Sequence, residues 1–195
     1  MTLHVICVAY QRVIPLRILI DSFLVQTVPN WVLHIVHDGP APQSVWEVIN
    51  SYSDPRIRFW CTSVRYGNFG HVNRRNTLQS LTGDLTNDYV LLTNDDNYYV
   101  PVFVNHFLKE CKSNVGMVYC DTVHSYMGYS VLHSRVKEGF IDCGSFITRL
   151  DVAQSVGFRH DHHSADGTFA EECARYCVSH NLVVRYIPRP LFVHN

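Results

Sequence analysis

Apolar positions along the first half of the chain follow two alternating rhythms. Residues 3–9, 31–36, 57–61 and 89–93 are near-continuous apolar runs. Runs of that length, bounded by turn formers, predict buried strands. Between them, apolar residues recur every three or four positions. Residues 15–26 put Leu16, Leu19, Ile20, Phe23 and Leu24 on one face, with Pro15 in the first turn, which predicts a helix. Residues 43–52 and 70–81 predict two more. Strands alternating with helices imply parallel β-α-β units with right-handed crossovers. Ligands in such sheets bind beyond the carboxyl ends of the strands.

The second half changes rhythm. Tyr98, Tyr99 and Pro101 read as the approach to a helix over 101–112. A strand is expected at 116–121, and antiparallel strands at 129–133 and 145–148. A helix should begin at Asp166 or Gly167 and run to about His180. Short strands at 183–186 and 191–193 close the chain. No internal repeat, low-complexity tract or linker interrupts it, so one α/β domain over 1–195 is expected. The chain stops at Asn195 directly after a β-like run, as a module of a longer protein would.

Composition narrows the function classes. Hydrophobic residues make up 47% and charged residues 17%, with a formal net charge of -1 and no block of one sign. Nucleic acid as main partner is excluded, because a phosphate backbone calls for a basic stripe. Cysteines number seven, an odd count with no C-x-x-C pair, and several stand inside apolar runs. They read as reduced thiols, with Cys173 and Cys177 in the core, and point to a cytoplasmic protein. No apolar run is long enough to span a bilayer, so any membrane contact is expected to be peripheral.

The chemistry concentrates where strands end. The run 89–93 feeds into Asn94-Asp95-Asp96-Asn97. Adjacent carboxylates repel, and nothing nearby in sequence neutralises them. A divalent cation with hard oxygen ligands would, and Mg²⁺ or Mn²⁺ could then hold a diphosphate. The alternative is an Asn/Asp-rich turn. Asp38, before Gly39-Pro40, ends another strand, so the two groups could face one cleft. Asp166 opens a helix, where it would serve either as a cap or as a base. Residues 160–163, His-Asp-His-His, look like a metal cluster, but consecutive ligands rarely converge on one ion. They read as a loop.

Four segments in order resemble family-2 glycosyltransferases of the GT-A fold. They are Ala9-Tyr10-Gln11-Arg12, Val36-His37-Asp38-Gly39, Asn68-Phe69-Gly70 through Arg74-Arg75-Asn76, and Asn94-Asp95-Asp96. Ala165-Asp166-Gly167 and Leu191-Phe192-Val193-His194-Asn195 extend the match downstream. The resemblance implies a Rossmann-like, mostly parallel sheet flanked by helices, with a smaller antiparallel acceptor-side portion. Residues 1–100 would form the nucleotide-binding half and 101–195 the acceptor-binding half.

The implied activity is inverting transfer of a sugar from a nucleotide diphosphate, with UDP expected, to a hydroxyl of a glycan, lipid-linked or protein-linked acceptor. Asp38 would accept the imide N–H of uracil, and Ala9, Tyr10 and Arg12 would flank the nucleoside. Arg75 would lie near the diphosphate, while Arg74 would be solvated. Asp95 would orient ribose or a ligand water, and Asn94 would bond the ribose or hold the loop. Asp96 and His194 would hold Mn²⁺ or Mg²⁺. Asp166 would be the general base, with Glu171 and Glu172 as substitutes. Asp142, Gly144 and Ser145 would contact the donor sugar. The loop 160–163 would cover the acceptor side. Asn94 departs from the family's first Asp, and the chain is short for the fold. Both departures motivate a rival reading, a nucleotide-sugar-binding module without turnover. A nucleotidyltransferase would need a Gly-rich basic loop after the first strand, which residues 9–12 do not provide.

Overall fold

The computed structural model describes residues 1–195. Four strands, β1 (Leu3–Ala9), β2 (Trp31–His37), β3 (Ile57–Cys61) and β4 (Tyr89–Asn94), pair in parallel in the order β3-β2-β1-β4. Helices α1 (Val13–Leu24), α2 (Gln43–Asn50) and α3 (His71–Ser80) connect them. The sheet continues through β8 (Phe146–Arg149), which runs antiparallel to β4. Next come β6 (Val115–His124), β9 (Val183–His194) and β5 (Tyr98–Tyr99), while β7 (Ser130–Leu132) hairpins onto β6. Helices α4 (Phe103–Glu110), α5 (Leu150–Val156) and α6 (Ala165–Ser179) complete the chain. The mixed α/β architecture therefore has a parallel half and a half with antiparallel pairs, as expected.

Both sheet faces are buried, which is why the strands read as continuous apolar runs. Alternation along β1 sends Leu3, Val5, Cys7 and Ala9 into one core, with α1, α2 and α4 over it, and Ile6 into the other, with α3, α5 and α6 over it. Phe23 on α1 packs against Trp31 and Tyr99, with ring centroids 5.7 and 5.0 Å away. Burial of each such side chain stabilises the fold by about 1.5–3 kcal/mol.

Three elements differ from the sequence expectation. Tyr98 and Tyr99 form an edge strand rather than a helix start, because they pair with Val193 and Phe192. Residues 183–194 form one strand, not two. Register shifts opposite Asp121 absorb Pro188 and Pro190, whose missing N–H groups a regular ladder could not accept. Finally, α5 has only seven residues, too few for a helical period to stand out.

Candidate active site

The parallel register aligns Ala9 with His37 and Val8 with Asn94, so β1, β2 and β4 end together. A cleft of about 600 Å³ opens there. Ala9, Tyr10, Arg12, Asp38, Asn94, Asp166 and His194 all line it. Folding thus gathers residues from both ends of the chain.

The acidic turn finds its counter-charge within the protein. Arg12 pairs with Asp95 at 2.8 Å and also with Asp96. Asp95 is fully buried and accepts a hydrogen bond from the Tyr10 backbone N–H at 2.9 Å. Burial lifts its carboxyl to about 6, opposed by Arg12. The neutralising partner that the neighbouring sequence lacks is thus supplied from far along the chain. The partner lies at the end of another strand, beyond the reach of local sequence. Asp96 keeps one buried oxygen, Oδ1, without a hydrogen-bond partner.

Asp38 organises the loop between β3 and α3. Its Oδ1 accepts from the Tyr66 N–H (2.8 Å) and the Asn73 side-chain amide (2.9 Å), and its Oδ2 accepts from the Gly67 N–H (2.8 Å). A carboxylate offers about four acceptor positions, and the one left, on Oδ2, lies beside the Arg65 guanidinium, whose Nε is 4.0 Å away. Residues 67–70 all hold positive φ, including the non-glycines Asn68 and Phe69. Such a run persists only where surrounding contacts over-determine it. At Gly70 a Cβ would come within 2.5 Å of Val8, which explains the glycine.

The two arginines of α3 exchange their expected roles. Arg74 is buried and lines the cleft. It donates to the Phe69 carbonyl at 2.6 Å and to the Asn94 side chain. Arg75 points toward the loop before α6, donating to the carbonyls of Phe158 (2.8 Å) and Arg159 (3.0 Å) and to Asp161 (2.8 Å). The expectations that Arg75 faces a diphosphate and that Arg74 is solvated are therefore corrected. A helix turns about 100° per residue, and only the packed structure fixes which neighbour faces the cleft.

Asp166 stands in the first turn of α6. It accepts from its neighbour's N–H (Gly167, 2.8 Å) through Oδ1 and from the Cys143 N–H (3.1 Å) through Oδ2. Burial, then the negative charge of Asp142, raises its carboxyl above the usual range. Asp142 caps a short 3₁₀ turn, accepting from the Gly144 N–H at 2.9 Å. Its Oδ2 lies 2.6 Å from His194 Nδ1, an ion-pair contact without hydrogen-bond angles. Burial resists charge on both. The pairing still prevails, holding Asp142 below its ordinary range and lifting His194 above its own. Asp96 shares this neighbourhood, because its backbone carbonyl accepts from the Asn195 side chain at 2.7 Å.

Residues that sequence reasoning passed over also reach the cleft. Arg65 lies over the Tyr10 ring, 3.8 Å from its centroid. His124, Tyr126 and Cys143 contribute from the second half. Their only sequence signal is position near a strand end or turn.

Comparison with known proteins gives the following. Residues 4–167 match the model of Glycosyl transferase family 2. No curated protein matches the chain. Among solved structures, S. aureus TarS 1-349 superposes with a TM-score of 0.78 at 15% identity, over 100% of this chain and 60% of that one. The same protein in complex with UDP-GlcNAc gives 0.76 at 14%, over 100% and 58%. The mannosyltransferase PcManGT from Pyrobaculum calidifontis, in complex with GDP-Man and Mn2+, gives 0.72 at 15%, over 98% and 56%. The chain thus spans less than two thirds of each of these structures. No helix is long and apolar enough to cross a membrane.

Proposed function

From the membership of this chain in glycosyl transferase family 2, established by the match over residues 4–167, we propose an inverting sugar transfer from a UDP-sugar to a hydroxyl acceptor. The observation that carries this reading is the single cleft joining Tyr10, Asp38 and Asn94 at the strand ends to Asp166 across from them. Structural neighbours solved with UDP, UDP-GlcNAc and GDP-Man support a nucleotide-diphosphate sugar as donor. The acceptor position on Asp38 Oδ2 that no hydrogen bond fills, beside Arg65, supports uracil, whose imide offers one N–H. Tyr10 presents a flat ring for the nucleoside, and Arg65, now over that ring, gives way to it or closes over it.

Asp166 acts as general base. Its raised affinity for protons suits that task. It takes the proton from the acceptor hydroxyl as that oxygen bonds to the anomeric carbon. On the opposite face the bond from that carbon to the diphosphate oxygen breaks, and the configuration inverts. Arg74 supplies fixed positive charge beside Asn94, on the side where the diphosphate departs. A divalent cation, Mn²⁺ or Mg²⁺, supplies further positive charge to the leaving group when bound. The Oδ1 of Asp96, buried without a hydrogen-bond partner, fits such an ion, and the His194 imidazole, now against Asp142 Oδ2, would be its second ligand.

The test is Asp166→Asn with UDP-GlcNAc and other UDP-sugars in the presence of Mn²⁺. Donor turnover should fall about 10²–10⁴-fold while UDP affinity, read by calorimetry, stays unchanged. A variant that turns over normally removes Asp166 from the mechanism. A parent chain that binds UDP-sugars but never releases UDP is a binding module.

A further inference from the structure

We propose that the acceptor taken by this cleft is an uncharged oligosaccharide, seated on two exposed aromatic rings, Phe69 and Tyr126, that flank Asp166. The inference rests on the transferase reading above and names its second substrate. Both residues line the cleft, and both face solvent, 61% and 62% exposed. Phe69 is held at φ 55°, a left-handed backbone that a bulky residue adopts only where contacts impose it. An exposed ring gains little from burial to offset that strain, so the protein's own packing does not account for it. The ring meets His163 edge-on at 5.3 Å, in the loop that leads into Asp166. On the other flank Tyr126 packs edge-on to His194, 5.3 Å away, and His194 touches Asp142. A carboxylate oxygen of Asp142 lies within 4.8 Å of one on Asp166.

Charge selects the class of acceptor. The arginines that line the cleft, Arg12, Arg65 and Arg74, all come from the first half and are engaged there. From residue 124 onward the lining holds no lysine or arginine, but it does hold the carboxylates Asp142 and Asp166. An anionic acceptor would meet those carboxylates without a counter-charge. A neutral sugar suits the same surface. One face of its ring presents C–H groups to the negative face of an aromatic ring, and its hydroxyls meet the polar groups between. The apolar surface also continues beyond the cleft. Tyr126, Met127, Tyr129 and Val131 are exposed together on the β6–β7 hairpin, where a chain of sugars could extend past the one that reacts. An anionic membrane surface is the poorer partner for this hairpin, because it draws on lysine and arginine and residues 124–134 contain neither.

The test is saturation-transfer difference NMR of the full chain, with and without UDP. The probes are cellotetraose, chitotetraose and mannotetraose, with tetragalacturonate as the acidic counterpart. We expect transfer to the ring protons of at least one neutral tetrasaccharide and weaker transfer to the acidic one. Phe69→Asn and Tyr126→Ala should each weaken the neutral glycan about tenfold. Asparagine tolerates the left-handed backbone, so Phe69→Asn removes the ring while keeping the loop. Tyr126→Phe, which keeps the ring, should retain binding. Four results overturn the proposal: no transfer to any neutral probe, unchanged affinity in either ring-deleting variant, a preference for tetragalacturonate, or binding of the hairpin to phosphatidylcholine–phosphatidylglycerol vesicles instead of glycan. UDP affinity, measured by calorimetry on the same samples, is a separate readout. A chain that holds neutral glycans on these rings but ignores UDP sinks the transferase reading and leaves the glycan surface standing. One that binds UDP and no neutral glycan does the reverse.

Discussion

Arg12 is the residue on which the reading of the acidic turn reverses. Two adjacent carboxylates pose a charge problem, and the fold solves it with a guanidinium from the end of β1. A second charge balance lies at the opposite end of the strands. His34 is buried, with its Nε2 3.2 Å from His4 Nδ1, and His4 in turn lies 3.5 Å from Asp88. Burial, then the proximity of His4, lowers His34 to about 4. An unfolded histidine titrates near 6.5. Between those values the unfolded chain takes a proton that the folded chain refuses. The contribution of His34 to stability is therefore full above pH 6.5 and is lost as pH falls toward 4. Between pH 7 and 4.5 the parent should lose about 2–3 kcal/mol through this group. Asp95, raised to about 6, slopes the other way in the same window. The informative quantity is thus the difference from His34→Gln, whose urea-derived stability should fall less on acidification. Equal losses in parent and variant would refute the assignment.

At the scale of elements, α3 faces two ways. One side carries Arg74 into the cleft, and the other carries Arg75 onto the loop that leads into α6 and Asp166. His71 adds a contact to the same loop, its Nε2 3.1 Å from the His162 carbonyl. The His-rich segment expected to cover the acceptor side is therefore strapped to α3. Phe69, exposed and held at positive φ, meets His163 edge-on across the gap. Arg75→Ala should release this strap. Amide hydrogen exchange over 158–164 should quicken and donor turnover should drop, with UDP affinity retained. A variant with unchanged exchange there would show that the loop is held by other means. Sequence could not have separated the two arginines, since adjacent helical positions differ only in the face they present.

At the scale of the molecule, one sheet crosses both halves. β4 of the first half pairs with β8 of the second, and β5, which precedes residue 101, pairs with β9 near the end of the chain. Each half alone would expose the flank of a buried strand and part of an apolar core. We expect urea unfolding in one transition, with tryptophan fluorescence, dominated by the first half, coinciding with far-ultraviolet circular dichroism. All three tryptophans, Trp31, Trp46 and Trp60, lie before residue 101, so a non-coincident pair of curves would reveal two independent units.

By itself the sequence determined the rhythm of the fold. Buried parallel strands must be apolar along their whole length, and the helices that cover them must be striped, so both patterns are local and readable. It also marked Asp38, Asn94 to Asp96 and Asp166, since small polar residues at strand ends and helix starts stand out against apolar runs, whereas His194 was marked only by the family resemblance. Only the tertiary structure decided which charges meet. Arg12 reaches the acidic turn, Arg74 rather than Arg75 enters the cleft, and Asp142 stands against His194 beside His124. Those contacts join residues far apart in sequence, and strand register, helix rotation and sheet order set them together.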